Sequence, residues 1–188
     1  MHKLEVLDRQ LFLALNELHT EFLDQLMWHI SGKWQWIPFY LILLFFIYRK
    51  YKKQSWIILA GVALLIVLSD QLSVILFKEH FQRYRPCHNL EIADLVHTVR
   101  GKCGGKFGFI SSHATNTFAL ASYVVLCLGR KYLIPIFLWA TLVSYSRIYL
   151  GVHYPLDVIG GALFGISLAF LLYLSMINLF KNQLKINV

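Results

Sequence analysis

Five apolar runs, separated by short polar connections, make up most of the 188-residue chain. The second run, Ser55 to Phe77, has about the 20 residues that a helix needs to cross the hydrocarbon core of a bilayer. The first run lies within residues 22–48, and the other three occupy residues 112–128, 132–150 and 155–177. The pattern predicts an all-α, polytopic membrane bundle of about five to six transmembrane helices, in a single domain that comprises residues 1–188.

Residues 4–20 precede the first run and have a different pattern. Their apolar side chains recur every three or four residues, which is typical of an amphipathic helix lying at a membrane surface. If this segment were instead the start of a spanning helix, Glu17, Glu21 and Asp24 would have to enter hydrocarbon. The interfacial helix is therefore favoured, and the spanning alternative stays open.

Composition agrees with a membrane protein, because 57% of the residues are hydrophobic and only 15% are charged. The net charge of +8 could indicate a nucleic-acid partner. However, the basic residues gather at the ends of apolar runs and are not interleaved with base-stacking aromatic residues on a soluble surface. We therefore expect no nucleic-acid partner, and nothing in the sequence predicts the oligomeric state.

Three connections or ends are basic: residues 49–53, residues 130–131, and the C-terminal segment with Lys181 and Lys185. The positive-inside rule places these on the cytoplasmic side. The long connection at residues 79–110 then lies outside, where its two cysteines, at positions 87 and 103, could form a disulfide or remain free thiols. Cys127 falls inside an apolar run, where we expect it to be packed, and the three cysteines form no metal motif.

This topology brings polar residues from three separate segments to the same face of the membrane. They are Lys78 and Arg85 after the second run, Ser111, Ser112 and His113 at the start of the third, and Arg147, His153 and Asp157 between the fourth and fifth. Lys78 and Arg85 are seven residues apart, about two helical turns or roughly 10 Å along a helix axis. Both side chains could therefore reach one anion.

The chemistry of these groups indicates phosphoryl transfer. A helix that begins at Ser111 or Ser112 would present free backbone N–H groups to a phosphate, and Arg147 could bind two phosphate oxygens with its planar fork. Pro155 suits the first turn of a helix, which places Asp157 where it can orient the ring of His153. One histidine could then act as nucleophile and the other as acid, with no metal required.

Each feature also has an ordinary explanation. A histidine at a helix end is often a structural hydrogen-bonding group, Ser-Ser-His can be a simple cap, and Arg147 could anchor its helix at the lipid headgroups. Asp70, inside the second run, could pair with a basic group of the site or bond to a neighbouring helix. The coincidence of three motifs on one face of the membrane favours the functional interpretation.

The same residues resemble the signature of the type 2 phosphatidic acid phosphatase family, which reads Lys-x6-Arg-Pro, Pro-Ser-Gly-His and Ser-Arg-x5-His-x3-Asp. The first motif is matched by Lys78 with Arg85-Pro86, and the third by Ser146-Arg147, His153 and Asp157. The middle motif departs from the pattern, since Ile110-Ser111-Ser112-His113 has Ile for Pro and Ser for Gly. The change at Ser112 leaves open how closely the backbone there approaches a phosphate.

The resemblance implies a metal-independent membrane phosphatase without a cofactor. His153 would attack phosphorus and become a phosphohistidine, Asp157 would orient it, and His113 would act first as acid and then as base. The resemblance also implies which groups hold the phosphate: Lys78, Arg85, Ser111, Ser112 and Arg147. It further suggests a bacterial inner-membrane protein. The basic cytoplasmic connections place the site on the outer side, so we expect it to face the periplasm.

In this branch of the family the expected substrates are lipid phosphates: undecaprenyl diphosphate, phosphatidylglycerophosphate, phosphatidic acid or a phosphate of lipid A. The short connections between helices favour a small headgroup, such as that of a polyprenyl or glycerolipid phosphate. Three alternatives stay open: a phosphatase of water-soluble esters, a lipid-phosphate binding or transport protein without turnover, and a metal hydrolase with His113, His153 and Asp157 as ligands.

Overall fold

Seven helices of at least 11 residues account for most of residues 2–184, the part of the chain that the computed structural model describes. They are α1 (His2–Asn16), α2 (Glu21–Ser31), α3 (Ile37–Tyr51), α4 (Ser55–Leu72), α5 (Ser112–Leu128), α6 (Leu133–Tyr149) and α7 (Pro155–Leu184). Residues 2–184 contain no β-strand, which confirms the all-α prediction. Lys185, predicted to belong to a basic cytoplasmic end, lies outside the described residues.

Within residues 2–184, two helical stretches are long and apolar enough to cross a membrane, namely Trp34–Phe81 and Pro155–Lys181. The first stretch is divided into α3 and α4 by a turn at Lys52, whose φ of 51° cannot continue a helix. Beyond Leu72, α4 continues through a π-helical turn at Ser73–Lys78 and a final turn at Glu79–Phe81. The end of this helix therefore agrees with the predicted second run.

The predicted first run, residues 22–48, is not one continuous helix. The chain leaves α2 at Gly32, whose ψ of 147° is extended, and passes through a 3₁₀ turn at Trp34–Trp36 before α3 begins. Thr20 caps the start of α2 by accepting a hydrogen bond from Leu23 N. Local capping signals thus outweigh the apolar composition of the run, and α1, α2 and α3 are separate helices.

Helices α5 and α7 form the closest helix pair of the bundle. Gly161 and Gly165 of α7 lie against the backbone of α5, so a Cβ atom would be 2.6 Å from Ser111 O at Gly161 and 2.3 Å from Thr115 O at Gly165. These glycines therefore permit close packing of the two helices. The close contact holds the N-terminal ends of the two helices side by side, since Ser111 N donates to Asp157 O at 2.9 Å.

Helix α1 has two distinct faces. Asp8, Phe12 and Asn16 are buried, one turn apart, against the rest of the protein. Leu7 and Leu11 are among the leucines that point away from it and are half or more exposed. An apolar outer face agrees with the predicted amphipathic helix, while the inner face contains polar side chains that the sequence pattern did not explain.

The connection between α4 and α5 folds over the ends of the helices. A disulfide joins Cys87 and Cys103, which decides a point that the sequence left open. Tyr84 and Phe107 form an isolated antiparallel bridge, and Gly108 N donates to Arg83 O at 2.8 Å. The two ends of the connection are therefore held next to each other. As predicted, Cys127 is buried and has no disulfide partner.

Candidate active site

A cavity of about 550 Å³ collects six of the eight predicted site residues. They are Lys78, Arg85, Ser112, His113, Arg147 and His153. The other two, Ser111 and Asp157, are fully buried and lie outside the lining of this cavity. Side chains from α4, α5, α6 and the connections thus converge as the topology predicted.

His153 lies on the short connection between α6 and α7 and is only 2% exposed. The turn that leads into His153 requires a glycine at position 151 for two reasons. Its φ is 75°, which favours glycine, and a Cβ atom there would be 2.5 Å from His97 O. The His153 backbone N–H donates to Arg147 O at 3.3 Å. The backbone therefore fixes where the imidazole sits.

The two ring nitrogens of His153 have different partners. Nδ1 is 3.4 Å from Asp157 Oδ2, and Nε2 is 3.0 Å from Arg85 Nη1. Because a guanidinium can only donate, Nε2 must accept, so the proton of the neutral ring is on Nδ1. Burial, with the nearby charges of Arg85 and Arg147, lowers the pKa of His153 well below its usual value. The ring is therefore neutral near pH 7, with its lone pair on the side of Arg85.

Asp157 occupies the first turn of α7, where Pro155 begins the helix. Its Oδ2 also accepts a hydrogen bond from Tyr154 N at 2.9 Å, which caps the helix start. The carboxylate is thus held by the backbone of its own turn and can orient His153 from there, as the spacing predicted.

The start of α5 presents the side chains of Ser112 and His113 to the cavity. Ser111, the N-cap, does not line the cavity, and its Oγ is 3.5 Å from Ala114 N. The Oγ of Ser112 is 2.6 Å from Lys78 Nζ and 2.7 Å from Ser73 Oγ. The serine that replaces the glycine of the family motif therefore adds a hydroxyl beside a cation. His113 lines the same cavity one residue later.

Lys78 and Arg85 reach the cavity by a different route from the one expected. The helix ends at Phe81 and the chain turns at Gln82, which is left-handed with φ of 47°, so Arg85 belongs to the connection and not to the helix of Lys78. Arg85 Nε donates to Gly105 O at 2.6 Å and Nη1 to Val152 O at 3.1 Å. Carbonyl groups, and not helical spacing, hold this guanidinium in place.

Arg147 approaches the cavity from the end of α6. Its Nη1 donates to Ser31 Oγ, whereas its buried Nε has no hydrogen-bond partner among the residues described. A buried donor without a partner is costly, which makes this group available to an anion. Asp70 also lines the cavity, but among the described residues it forms no ion pair, so neither proposed role for it is established.

The sequence interpretation did not assign three residues that lie behind the site: Arg83 and Gly108 lie next to Asp157, and Asp8 pairs with Arg83. Arg83 Nη1 donates to Asp157 Oδ1 at 2.8 Å, and Arg83 Nη2 donates to Asp8 Oδ2 at 2.6 Å. A Cβ atom at Gly108 would lie 3.2 Å from Asp157 Oδ2 and 3.5 Å from His153 Nδ1. Asp8 and Arg83 are 75 positions apart, and no local pattern connects them.

An apolar helical bundle that gathers two histidines and four cations around one cavity, Lys33 being the fourth cation, has the composition expected of a membrane phosphoryl-transfer enzyme. The family model described as the PAP2 superfamily matches residues 55–181. The chain belongs to this superfamily, and it is a membrane phosphatase. This confirms the sequence prediction at the level of the family and of its reaction, the hydrolysis of a phosphoric ester.

Individual relatives agree with this assignment. The chain is 41% identical to a lipid A 4'-phosphatase of Porphyromonas gingivalis over 88% of this chain and 71% of that protein. It is 40% identical to a lipid A 4'-phosphatase of Bacteroides thetaiotaomicron over 85% of this chain and 72% of that protein. The crystal structure of a transmembrane PAP2-type phosphatidylglycerolphosphate phosphatase from Bacillus subtilis has the same fold, with a TM-score of 0.71 at 23% identity, covering 100% of this chain and 89% of that one.

Proposed function

We propose that the protein removes a phosphate group from a membrane lipid, and that a lipid A-type sugar phosphate is the first substrate to test. The observation that carries the lipid assignment is the mixed lining of the 550 Å³ cavity. Beside the six site residues, this lining includes apolar and aromatic side chains of Trp36, which precedes α3, and of α3 to α6: Tyr40, Val62, Ile66, Leu120, Trp139 and Val143. A phosphate and a hydrocarbon arm can therefore occupy this one cavity together.

A second cavity supports access from water. It has a volume of about 360 Å³ and shares Arg85 and Arg147 with the first, while Trp28 and Lys102 are among its other lining residues. Arg85 and Arg147 can therefore be reached from two cavities, the one of about 550 Å³ and the one of about 360 Å³ that lies against the connection between α4 and α5. Two approaches of this kind suit the hydrolysis of a lipid phosphate, since the lipid must enter from the bilayer and water must reach the phosphorus.

The choice of lipid follows from the relatives and not from the cavity. The two relatives at 40% and 41% identity are lipid A 4'-phosphatases, whereas the short connections between helices favoured a smaller headgroup. Because identity at this level extends over most of both chains, we give the sugar phosphate priority over polyprenyl and glycerolipid phosphates.

We assign the steps as follows. Nε2 of His153 attacks phosphorus, the bond from phosphorus to the lipid oxygen breaks, and His113 gives that oxygen a proton. Water then attacks the phosphohistidine, His113 takes a proton from it, and inorganic phosphate leaves while Nε2 recovers its lone pair. Lys78, Arg85 and Arg147, with the hydroxyl of Ser112, balance the charge on the phosphate oxygens. The side chain of Ser111 supports this set as a helix cap.

The placement in the membrane is also a proposal. Five crossings by the chain, in one domain over residues 1–188, would put residues 49–53 and 130–131 on the cytoplasmic side. The site would then face the periplasm of a bacterial inner membrane. The disulfide between Cys87 and Cys103 supports this orientation, because disulfides persist in oxidising compartments.

The test is phosphate release by purified protein in detergent with EDTA present. The panel would contain a lipid A-type phosphate, undecaprenyl diphosphate, phosphatidylglycerophosphate, phosphatidic acid and a water-soluble sugar phosphate. We expect release from the first lipid by the native chain and none by His153→Ala, which should melt at a similar temperature. Equal turnover of the soluble ester would indicate a soluble substrate, loss of activity with EDTA would indicate a metal hydrolase, and binding without turnover would remove the enzymatic assignment.

A further inference from the structure

Arg83 has a strongly constrained position behind the candidate active site. One side of its guanidinium donates to Asp157 and the other to Asp8, at 2.8 and 2.6 Å. Its Cζ also lies 4.2 Å from the centre of the Tyr154 ring. Burial lowers the pKa of Arg83, but the charges of Asp157 and Asp8 outweigh this effect and raise it. The guanidinium is therefore a fixed cation with two carboxylate partners.

Arg83 is separate from the phosphate-binding cations. It does not line the 550 Å³ cavity, to which Lys78, Arg85 and Arg147 contribute. It lines instead a different cavity of about 890 Å³ on the other side, together with Tyr154. Since both of its terminal nitrogens already have carboxylate partners, it has little capacity left for a substrate phosphate.

Asp157 is held from two opposite sides. Its Oδ2 faces Nδ1 of His153 and accepts from Tyr154 N, while its Oδ1 accepts from Arg83. A carboxylate that is fully buried needs a charged or hydrogen-bonding partner for each oxygen, and removal of one partner leaves a costly unpaired charge. Arg83 is therefore the charged partner of one oxygen of the carboxylate that orients His153.

Asp8 completes the arrangement from helix α1. It is 4% exposed, and its second oxygen, Oδ1, accepts from Leu156 N at 2.9 Å in the first turn of α7. Phe12, one turn further along α1, packs against the Tyr154 ring with a centroid distance of 5.3 Å. The N-terminal helix is thus attached to the turn that carries Asp157, although it precedes the residues that the family model matches.

We propose that Arg83 and Asp8 are positioning residues for the hydrolysis reaction. Arg83 fixes Asp157 from the side opposite to His153, and Asp8 fixes Arg83 and the first turn of α7. The proposal rests on the proposed function, because it assigns these residues to a reaction centred on His153. It predicts that their loss lowers the rate of the chemical step while phosphate binding by the three cations is retained.

The experiment compares Arg83→Met and Asp8→Asn with the native enzyme. The readouts are kcat, KM and the inhibition constant of inorganic phosphate, with the melting temperature measured in the same detergent. In metal sites, removal of a partner that orients a ligand histidine costs about 10- to 100-fold in affinity or activity, and we expect the same order of magnitude for a nucleophilic histidine. The kcat should therefore fall by about 10- to 100-fold in Arg83→Met. It should fall less in Asp8→Asn, because asparagine has nearly the same shape as aspartate and Asp8 acts one contact further from His153. The KM and the phosphate inhibition constant should stay within about twofold of the native values in both.

Arg9→Met is the matched control. Arg9 is adjacent to Asp8 on α1 and pairs with the exposed Glu91 at the surface, so its loss removes a cation from the same helix without touching Asp157. We expect native kcat in this variant. An equal loss in Arg9→Met would mean that α1 acts only through general stability.

Two results would overturn the proposal. An unchanged kcat in Arg83→Met would show that Asp157 needs no support from this side. A rise in the phosphate inhibition constant in proportion to the loss of kcat would show that Arg83 binds phosphate or that the site has collapsed. If Arg83→Met does not fold, Asp8→Asn becomes the deciding variant. A native kcat in Asp8→Asn would show that Asp8 does not position Arg83 for the reaction, and the proposal would be wrong. Failure of the proposed function is distinct, because the native enzyme would then release no phosphate.

Discussion

Gly108 is the position where the smallest substitution should most directly disturb the reacting groups. Its backbone N–H donates to Arg83 O, which holds it next to the segment that contains Arg85. A Cβ atom on Gly108 would lie 3.1 Å from Arg85 Cγ, 3.2 Å from Asp157 Oδ2 and 3.5 Å from His153 Nδ1. Carbon atoms prefer separations of about 3.5 to 4.0 Å, so Arg85 and the carboxylate must both move by a few tenths of an ångström.

The expected effect of Gly108→Ala follows from these distances. Overpacking at a buried position costs about 1–3 kcal/mol of folding stability, and this site should be near the lower limit because one methyl group is added. A misplacement of about 1 Å in a reacting constellation can cost about 100-fold in rate. Since the required shifts are smaller than that, we expect kcat to fall by about tenfold, equivalent to about 1.4 kcal/mol in the activation free energy.

The matched control is Gly105→Ala in the same connection. A Cβ atom at Gly105 would meet nothing within 4 Å, and the carbonyl that accepts from Arg85 Nε is retained. Phosphate release should be measured for both variants below their melting temperatures, with the preferred lipid as substrate. A Gly108→Ala enzyme within twofold of native kcat would refute the reasoning, and so would an equal loss in Gly105→Ala.

Two further predictions concern stability. Gly165→Ala should lower the melting temperature markedly, since its Cβ would be 2.3 Å from a backbone oxygen of α5, whereas Ser167→Ala on the exposed side of the same helix should have little effect. The folded-state pKa of His153 lies well below the ordinary value of 6.5, so as the pH falls the imidazole is protonated in the unfolded chain before it is protonated in the folded one. Protonation of His153 should therefore not affect the free energy of unfolding above about pH 6.5 and should reduce it at lower pH. The melting temperature of the native protein should then fall more between pH 7 and about pH 5 than that of His153→Ala.

The parts of the fold that could be predicted from the sequence depend on local signals. The cap at Ser111 sets the start of α5, and Pro155 sets the start of α7, so the two helix ends that carry His113 and Asp157 were placed correctly. Convergence of the three motifs in one cavity followed from the alternation of membrane crossings. Neither inference required knowledge of side-chain contacts between distant segments.

Other parts depended on contacts that no local pattern encodes. The spacing of Lys78 and Arg85 suggested one helix, but the chain turns at Gln82 and the guanidinium of Arg85 is held by carbonyls from residues far along the chain. The charges on α1 were interpreted as the polar face of a surface helix, whereas Asp8 is buried. A buried carboxylate on an amphipathic helix becomes interpretable only once its distant partner is known.

The division of charge around Asp157 accounts for the presence of Arg83 behind the site. If the buried carboxylate were paired with Arg85 or Arg147, that guanidinium would be partly neutralised and less available to a phosphate. Arg83 supplies the counter-charge from the opposite side, and Asp8 compensates its charge in turn. Lys78, Arg85 and Arg147 line the cavity in which we propose that the phosphate binds. Among the residues described, the buried Nε of Arg147 has no hydrogen-bond partner, and on this proposal a phosphate oxygen would supply one.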